Sequence, residues 1–155
     1  MEIREIKEKE MPEALNLVWR TFLDFEAPDY TEEGIKEFKK TIDDKNWIAA
    51  RDFFGAFENG KILGVIATKE YEHIALFFVD GKNHKQGIGK KLFNKICELN
   101  TTGTYTVNSS PYAKGVYKHL GFEYTASKQS INGLIFYPMK NDRILDYKNN
   151  YEKYK

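Results

Sequence analysis

The amino-acid sequence predicts one mixed α/β domain, with helices covering both faces of a single sheet. Its 155 residues suffice for a compact core, and 41% of them are hydrophobic. Segments of helical and of strand periodicity alternate along the chain, which is typical of such layered folds. We place the domain at residues 1–140 and treat residues 141–155 as a polar C-terminal tail.

The first half of the chain predicts a strand, two helices and a hairpin. Residues 2–7 alternate isoleucine with charged side chains, as a short strand does. From Met11 to Pro28, apolar residues recur every three or four positions and predict an amphipathic helix. Thr31 and the two glutamates after it are typical of a helix start. The turn Asn59-Gly60 joins the β-rich runs 53–57 and 62–68.

The second half predicts strands that alternate with helices. Residues 73–80 are apolar almost throughout and form a strand that we expect to be buried on both faces. The further predicted elements are a helix over 88–99, a strand over 104–107, a helix from Pro111 to Gly121, and strands over 122–127 and 133–139. We expect the units 73–99 and 104–120 to be neighbours and to form a cleft where their strands diverge.

Composition excludes several classes of function. The 24 basic and 23 acidic residues nearly balance, which gives no electrostatic reason to expect nucleic acid or a membrane surface as a partner. The single Cys97 excludes an intrachain disulfide, and no cysteine–histidine cluster has metal-ligand spacing, so no metal is expected. The N-terminus begins with charged residues and lacks a signal-type apolar core, which predicts a cytoplasmic protein.

The most informative motif runs from His84 to Phe93, directly after the apolar strand. Two glycines, Gly87 and Gly89, stand at the start of the following helix, where backbone N–H groups and the helix dipole attract a phosphate. A P-loop is excluded because His84 occupies the place of its first glycine and Lys91 that of its Ser/Thr. A dinucleotide fingerprint is excluded because Leu92 occupies the place of its third glycine.

A second motif identifies the family that the chain resembles. The pattern His84-x-x-Gly87-x-Gly89 and the later pattern Ala113-x-x-x-Tyr117-x-x-x-Gly121-Phe122 are similar to the two signatures of the GNAT superfamily of N-acetyltransferases. The departures are His84 in place of Arg or Gln, and Ser110 where an asparagine is common. The resemblance covers residues 1–140 and implies a mostly antiparallel sheet of about seven strands flanked by about four helices.

The resemblance implies acetyl-CoA as cosubstrate. The pyrophosphate is expected at the backbone amides of His84, Lys85, Gln86, Gly87, Ile88, Gly89 and Lys90. The pantetheine arm is expected to pair with the strand edge Phe77, Phe78 and Val79, as an added strand would. An amide near Phe77 would stabilise the oxyanion. Asn108, Ser110, Ala113 and Tyr117 complete the expected cofactor-binding set, with Asn108 and Ser110 as alternatives for contact with pantetheine.

The implied reaction is direct attack of an amine on the thioester. Tyr117 is expected to protonate the departing thiolate. In histone-acetylating members of the family, a glutamate on this strand acts as the general base that deprotonates the amine. Counting back along the strand places His73 at the matching position, with Glu72 and a water relay as alternatives for this role. A non-catalytic acyl-CoA-binding module and a protein-interaction domain are the rival functions; the Tyr117 hydroxyl weighs against the first.

The acceptor is expected to be a small-molecule or peptide amine. The expected acceptor-pocket residues are Trp19, Phe22, Asp24 and Tyr30. From Thr21 to Ile35 the chain holds five acidic and no basic residues, which favours a cationic amine. The sequence leaves the oligomeric state open, a homodimer included.

Overall fold

The computed structural model describes residues 1–83 and 87–142. Its strands and helices follow in chain order: β1 (Glu2–Glu5), α1 (Met11–Thr21), α2 (Glu32–Asp43), α3 (Lys45–Ala49), β2 (Asp52–Glu58), β3 (Lys61–Lys69), β4 (His73–Val79), α4 (Ile88–Leu99), β5 (Thr104–Ser109), α5 (Lys114–His119), β6 (Glu123–Tyr124), β7 (Gln129–Ile131) and β8 (Leu134–Asp142). Within these residues, no helix has the length and apolar content needed to cross a membrane.

The strands form one mixed sheet in the order β1-β2-β3-β4-β5-β8-β6, with β7 paired to β8. Every described pair is antiparallel except β4 with β5. The predicted fold class is therefore confirmed, with eight strands and five helices in the part of the chain that the structure describes. The additional elements are α3 and β7. Both are too short, at 5 and 3 residues, to show a hydrophobic period.

Two hydrophobic clusters lie on opposite faces of the sheet. On one face, α1 contributes Leu17 and Val18, and α2 contributes Ile42. On the other face, α4 packs Leu92 and Phe93 against the strands, as its apolar period predicts. The two layers of helices thus cover both faces, as we expected from the order of elements.

A β-bulge in β4 changes which face its side chains cover. In β3, Ala67 pairs with Leu76 and Thr68 pairs with Ile74, so Ala75 is an extra residue on β4. As a result Ile74 belongs to the cluster beneath α4, while Leu76 belongs to the cluster beneath α1. The strand is thereby buried on both faces, in agreement with its apolar sequence.

The parallel pairing of β4 with β5 is confined to one end. Only His73 with Thr106 and Ile74 with Val107 are in register, although both strands continue beyond these positions. The two strands diverge from the bulge onward and leave a gap in the sheet. This is the cleft that the sequence predicts between the units 73–99 and 104–120.

The loops beside the cleft are held by close contacts. Thr31 caps α2 as predicted, its Oγ1 accepting from the N–H of Gly34 at 3.2 Å. A Cβ on Gly34 would collide with the backbone of Gly133, so the α2 start fits tightly on the turn between β7 and β8. Strand β8 extends to Asp142, and residues 141 and 142, which we had assigned to the tail, pair with β5. Residues 143–155 lie outside the described residues.

Candidate active site

The gap between β4 and β5 opens into a cavity of about 340 Å³, which we call the large cavity. Its walls come from both diverging strands, from the segment after α1, from α2 and α3, and from the hairpin of β7 and β8. The residues that line it include Phe22, Glu26, Tyr30, Glu37, Trp47, Phe77, Asn108, Ser110, Tyr117 and Phe136. Elements distant in sequence therefore meet at the broken pairing of β4 with β5.

A second cavity of about 200 Å³, the small cavity, adjoins the large one on the side of α4. Val79 and Gly89 line it, and Glu26, Phe77 and Tyr117 line both cavities. The two cavities thus lie side by side between the start of α4 and the gap, and Tyr117 stands in the wall that they share.

The start of α4 suits an anion. Gly87 has a φ of 71°, in the left-handed region that glycine adopts without strain, and a Cβ added there would meet nothing within 4 Å. A Cβ on Gly89 would make only ordinary contact, 3.4 Å, with the Phe77 ring. Lys90 is exposed beside these glycines, while the Ile88 side chain is buried in the core. His84, Lys85 and Gln86 lie outside the described residues.

Tyr117 is held at the junction of the two cavities by aromatic packing. Its ring meets Phe77 and Phe122 edge-on, with centroid distances of 5.9 and 5.4 Å. Burial, together with the charge of Glu26, raises the pKa of the Tyr117 hydroxyl. The phenol is therefore protonated at neutral pH and is a weaker acid than an exposed tyrosine.

Glu26 is the ionisable side chain that the sequence analysis did not place in the reaction centre. It lines both cavities, and the Ser110 hydroxyl lies near its carboxyl group. Burial raises the pKa of Glu26 to about 7, the Ser110 hydroxyl opposes the shift, and the charge of Asp29 adds to it. The acidic run from Thr21 to Ile35 was the available signal, since it contains Glu26.

His73 and Glu72 stand at the closed end of the cleft. The Nδ1 atom of His73 lies 2.8 Å from Oγ1 of Thr106, and neither His73 nor Glu72 is among the residues that line the two cavities. Burial lowers the pKa of His73, and the positive charge of Arg51 lowers it further. The structure therefore brings Tyr117 and Glu26 together, but not Tyr117 and His73.

The large cavity has aromatic walls and acidic charge. Phe22 and Tyr30, two of the expected acceptor-pocket residues, line it, whereas the other two, Trp19 and Asp24, do not. Trp19 stacks behind the wall on Phe22, with a centroid distance of 5.7 Å, and Asp24 is exposed. Among the described lining residues of both cavities, the charged side chains are two glutamates, Glu26 and Glu37.

The remaining expected cofactor-binding residues lie along the gap. Phe77 and Phe78 line both cavities, and Val79 lines the small one. On the opposite side, Asn108 and Ser110 both line the large cavity, although Ser110 is buried and Asn108 is exposed. Ala113 lines both cavities, and its N–H donates to the Ser110 Oγ at 3.1 Å. The wall from β8, including Phe136, had no signal in the sequence.

Comparison with known proteins agrees with this architecture. A family model described as "Acetyltransferase (GNAT) domain" matches residues 26–143, about three quarters of the chain. No curated protein sequence matches significantly.

Several solved structures share the fold at low identity. One is a GCN5-related N-acetyltransferase from Rhodopseudomonas palustris (20% identity, 91% of this chain and 94% of that one, TM-score 0.79). Another is PaiA N-acetyltransferase from Thermoplasma acidophilum in complex with coenzyme A (15%, 91% and 98%, TM-score 0.74). A third is the ribosomal-protein-S18-alanine N-acetyltransferase from Escherichia coli (19%, 92% and 93%, TM-score 0.59). At these identities the likeness shows the fold alone.

Proposed function

Because this chain belongs to the GNAT family of acetyltransferases, we propose that it transfers the acetyl group of acetyl-CoA to an amine that enters the large cavity as a cation. The observation that carries the proposal is the pair of adjoining cavities, which lie between the start of α4 and the gap between β4 and β5. At their junction stands a buried phenol, Tyr117.

The small cavity and the start of α4 fit coenzyme A. The left-handed turn at Gly87 and the space above Gly89 leave the first amides of α4 open to a pyrophosphate. Strand β4 pairs with β5 only at His73 and Ile74, so its edge at Phe77 and Phe78 borders the gap, where it is placed to pair with the pantetheine amides. When bound, acetyl-CoA supplies the acetyl thioester. Solved relatives of this fold include a complex with coenzyme A, which supports the assignment.

Tyr117 is suited to protonate the leaving thiolate. Its ring borders both cavities, and its hydroxyl carries the proton at neutral pH. A positioned acid accelerates a reaction by about 10²–10⁴-fold. The hydroxyl at this junction weighs against a non-catalytic CoA-binding module, since core packing needs only the ring.

The acceptor is defined by the walls of the large cavity. Glu26 and Glu37 favour a cation, and Phe22, Tyr30 and Trp47 favour an apolar or aromatic body behind it. A volume of about 340 Å³ is at the small end of ligand sites. We therefore infer a compact primary or secondary amine attached to a flat apolar group.

The proposal is tested by acetyl-CoA turnover over a panel of amines, read as release of free thiol. The panel contains 2-phenylethylamine, spermidine, glutamate and a lysine-containing peptide. We expect 2-phenylethylamine to give the highest kcat/KM and glutamate the lowest. Preference for glutamate would contradict the acceptor class, and lack of acetyl transfer to every amine, despite binding of acetyl-CoA, would contradict the enzymatic function.

A further inference from the structure

We propose that the carboxylate of Glu26 accepts the proton that the acceptor ammonium must lose before its nitrogen attacks the thioester. This inference rests on the proposed acetyl transfer and deepens it. It names a catalytic residue that lies outside both signature motifs, in the segment between α1 and α2.

The backbone after α1 places Glu26 at the junction of the cavities. Residues Phe22–Glu26 form one turn of π-helix, in which the N–H of Ala27 donates to the carbonyl of Phe22, five residues earlier. A π-helical turn contains more residues than an α-helical turn and therefore shifts the side chains that follow it around the helix axis. Phe22 fills the core on one side of this turn, and Glu26, at its end, faces both cavities.

Ser110 holds a fixed position beside Glu26. Its Oγ accepts from the Ala113 N–H at 3.1 Å, and its hydroxyl lies near the Glu26 carboxyl and opposes the rise of its pKa. A carboxylate has several lone pairs that are able to accept from an ammonium. Glu26 thus has Ser110 on one side and cavity space on the other.

The surroundings of Glu26 make it a stronger base than an ordinary carboxylate. The groups that face it are Asp29 and Tyr30 from its own segment, Ser110 after β5, and Tyr117 of α5, and Glu37 of α2 lines the same large cavity. None of the described lining residues is Lys, Arg or His, so no described cation in the cavity walls opposes the effect of burial. The pKa of about 7 matches the range in which a general base works best at neutral pH.

The proton balance of the reaction assigns a different role to each side chain. One ammonium proton passes to Glu26 and then to solvent, which frees the nitrogen lone pair. The nitrogen–carbon bond forms, the carbon–sulfur bond breaks, and the sulfur takes the proton of Tyr117. The second proton that the nitrogen loses restores Tyr117. The products are the N-acetyl amine, free CoA thiol and one proton.

The test compares Glu26→Gln with Glu37→Gln, which removes the other carboxylate of the large cavity. Each protein is assayed with 2-phenylethylamine, which is a cation at neutral pH, and with O-benzylhydroxylamine, which is neutral. We expect kcat/KM of the parent for 2-phenylethylamine to rise through an apparent pKa near 7. This rise, the acidic limb of the pH profile, is absent in Glu26→Gln, and kcat/KM of the variant at pH 8 is lower by a factor on the order of 10² or more. Glu37→Gln keeps the acidic limb.

O-benzylhydroxylamine separates a proton acceptor from a merely structural side chain. Because its nitrogen arrives neutral, we expect Glu26→Gln to lose far less activity with this acceptor. Equal losses with both acceptors, or a limb near pH 7 that persists in Glu26→Gln, would overturn the assignment. Absence of turnover of 2-phenylethylamine by the parent would also overturn it.

A thermal-shift measurement distinguishes this failure from failure of the proposed function. Acetyl-CoA is expected to raise the Tm of both the parent and Glu26→Gln. A shift in both, with the predicted kinetics absent, rejects Glu26 alone, whereas no shift in either rejects the acetyl-CoA site itself.

Discussion

A hydrogen bond of 2.8 Å between His73 Nδ1 and Thr106 Oγ1 joins β4 to β5 at the one end where these parallel strands pair. Next to it, the Thr106 N–H donates to the Glu72 carbonyl at 3.0 Å. Beyond this point the strands separate and the large cavity begins. The position that the family resemblance offered for the base therefore closes the end of the cleft.

We predict that His73→Ala lowers the free energy of unfolding by about 1 kcal/mol at pH 8, because it removes one half-buried hydrogen bond. Burial, with Arg51, lowers the folded-state pKa of His73 below its ordinary value of 6.5. The stability of the parent therefore falls as pH drops below about 6.5, and the difference between the two proteins narrows there. Urea unfolding at pH 8 and pH 5.5 measures this. A difference that grows at low pH would contradict the account.

For Glu26 we expect stability to change with pH in the opposite direction. Its folded-state pKa is about 7, above its ordinary value of 4.5, so the protonated form is favoured by folding and the parent loses stability as pH rises from about 4.5 to 7. Glu26→Gln keeps the shape without the charge. We predict that it raises the free energy of unfolding by about 1–2 kcal/mol at pH 8, allowing for solvent in the cavity, and leaves it unchanged at pH 4.

Denaturant unfolding of the parent, Glu26→Gln and Glu37→Gln at both pH values makes this comparison. A Glu26 that only supports the fold would destabilise the protein when replaced. A variant that gains stability while it loses activity instead marks a residue retained for function.

Local sequence signals predicted most of the fold but only part of the site. Thr31 caps a helix within three residues of itself, and Asn59-Gly60 forms the turn between two paired strands. Such local effects allowed the sequence to predict the helix start and the hairpin. The glycines at the start of α4 and the motif around Tyr117 could be predicted because each is a pattern within one short stretch of sequence. The location of Glu26 could not, because it depends on a π-helical turn after α1 and on contact with Ser110, 84 positions along the chain.

The surroundings of His73 also could not be predicted from the sequence. Counting along β4 gave its position in the strand, but nothing in the sequence shows that Thr106 stands opposite it. The Ala75 bulge likewise follows from the pairing of β4 with β3. Which residues of two strands stand opposite each other, even in consecutive strands, follows from the tertiary structure.

The two glycines at α4 are predicted to have separable roles. Gly87→Ala places a Cβ at a φ of 71° and lowers the free energy of unfolding of the unliganded protein by roughly 1 kcal/mol. Gly89→Glu starts from a helical position where a Cβ fits, but its carboxylate repels a pyrophosphate. We expect Gly89→Glu to keep the Tm of the unliganded protein near the parent value and to abolish the shift with acetyl-CoA. Gly89→Ala is the matched control for size, and an undiminished shift in Gly89→Glu would reject the pyrophosphate site.

Glu37 is predicted to attract the cationic acceptor without taking its proton. Glu37→Gln removes one of two described charges in the large cavity, so we expect KM for 2-phenylethylamine to rise roughly 3–10-fold with kcat nearly kept. The rise is largest at low ionic strength because salt screens the attraction. Asp24→Asn, at an exposed position outside the cavity walls, is the control and changes KM less. Steady-state kinetics from 0.02 to about 0.5 M salt measure both, and equal effects of the two variants would contradict a role specific to Glu37.

The central claim is that acetyl transfer occurs at the junction of the two cavities, where the Tyr117 phenol is buried. Tyr117→Phe removes the transferable proton and keeps the ring that packs on Phe77 and Phe122. The most direct test is thiol release by this variant under conditions where the chemical step limits the rate, with the acetyl-CoA thermal shift measured on the same sample. The account predicts an unchanged shift and a fall in kcat of about 10²–10⁴-fold. An unchanged shift with unchanged kcat would contradict it.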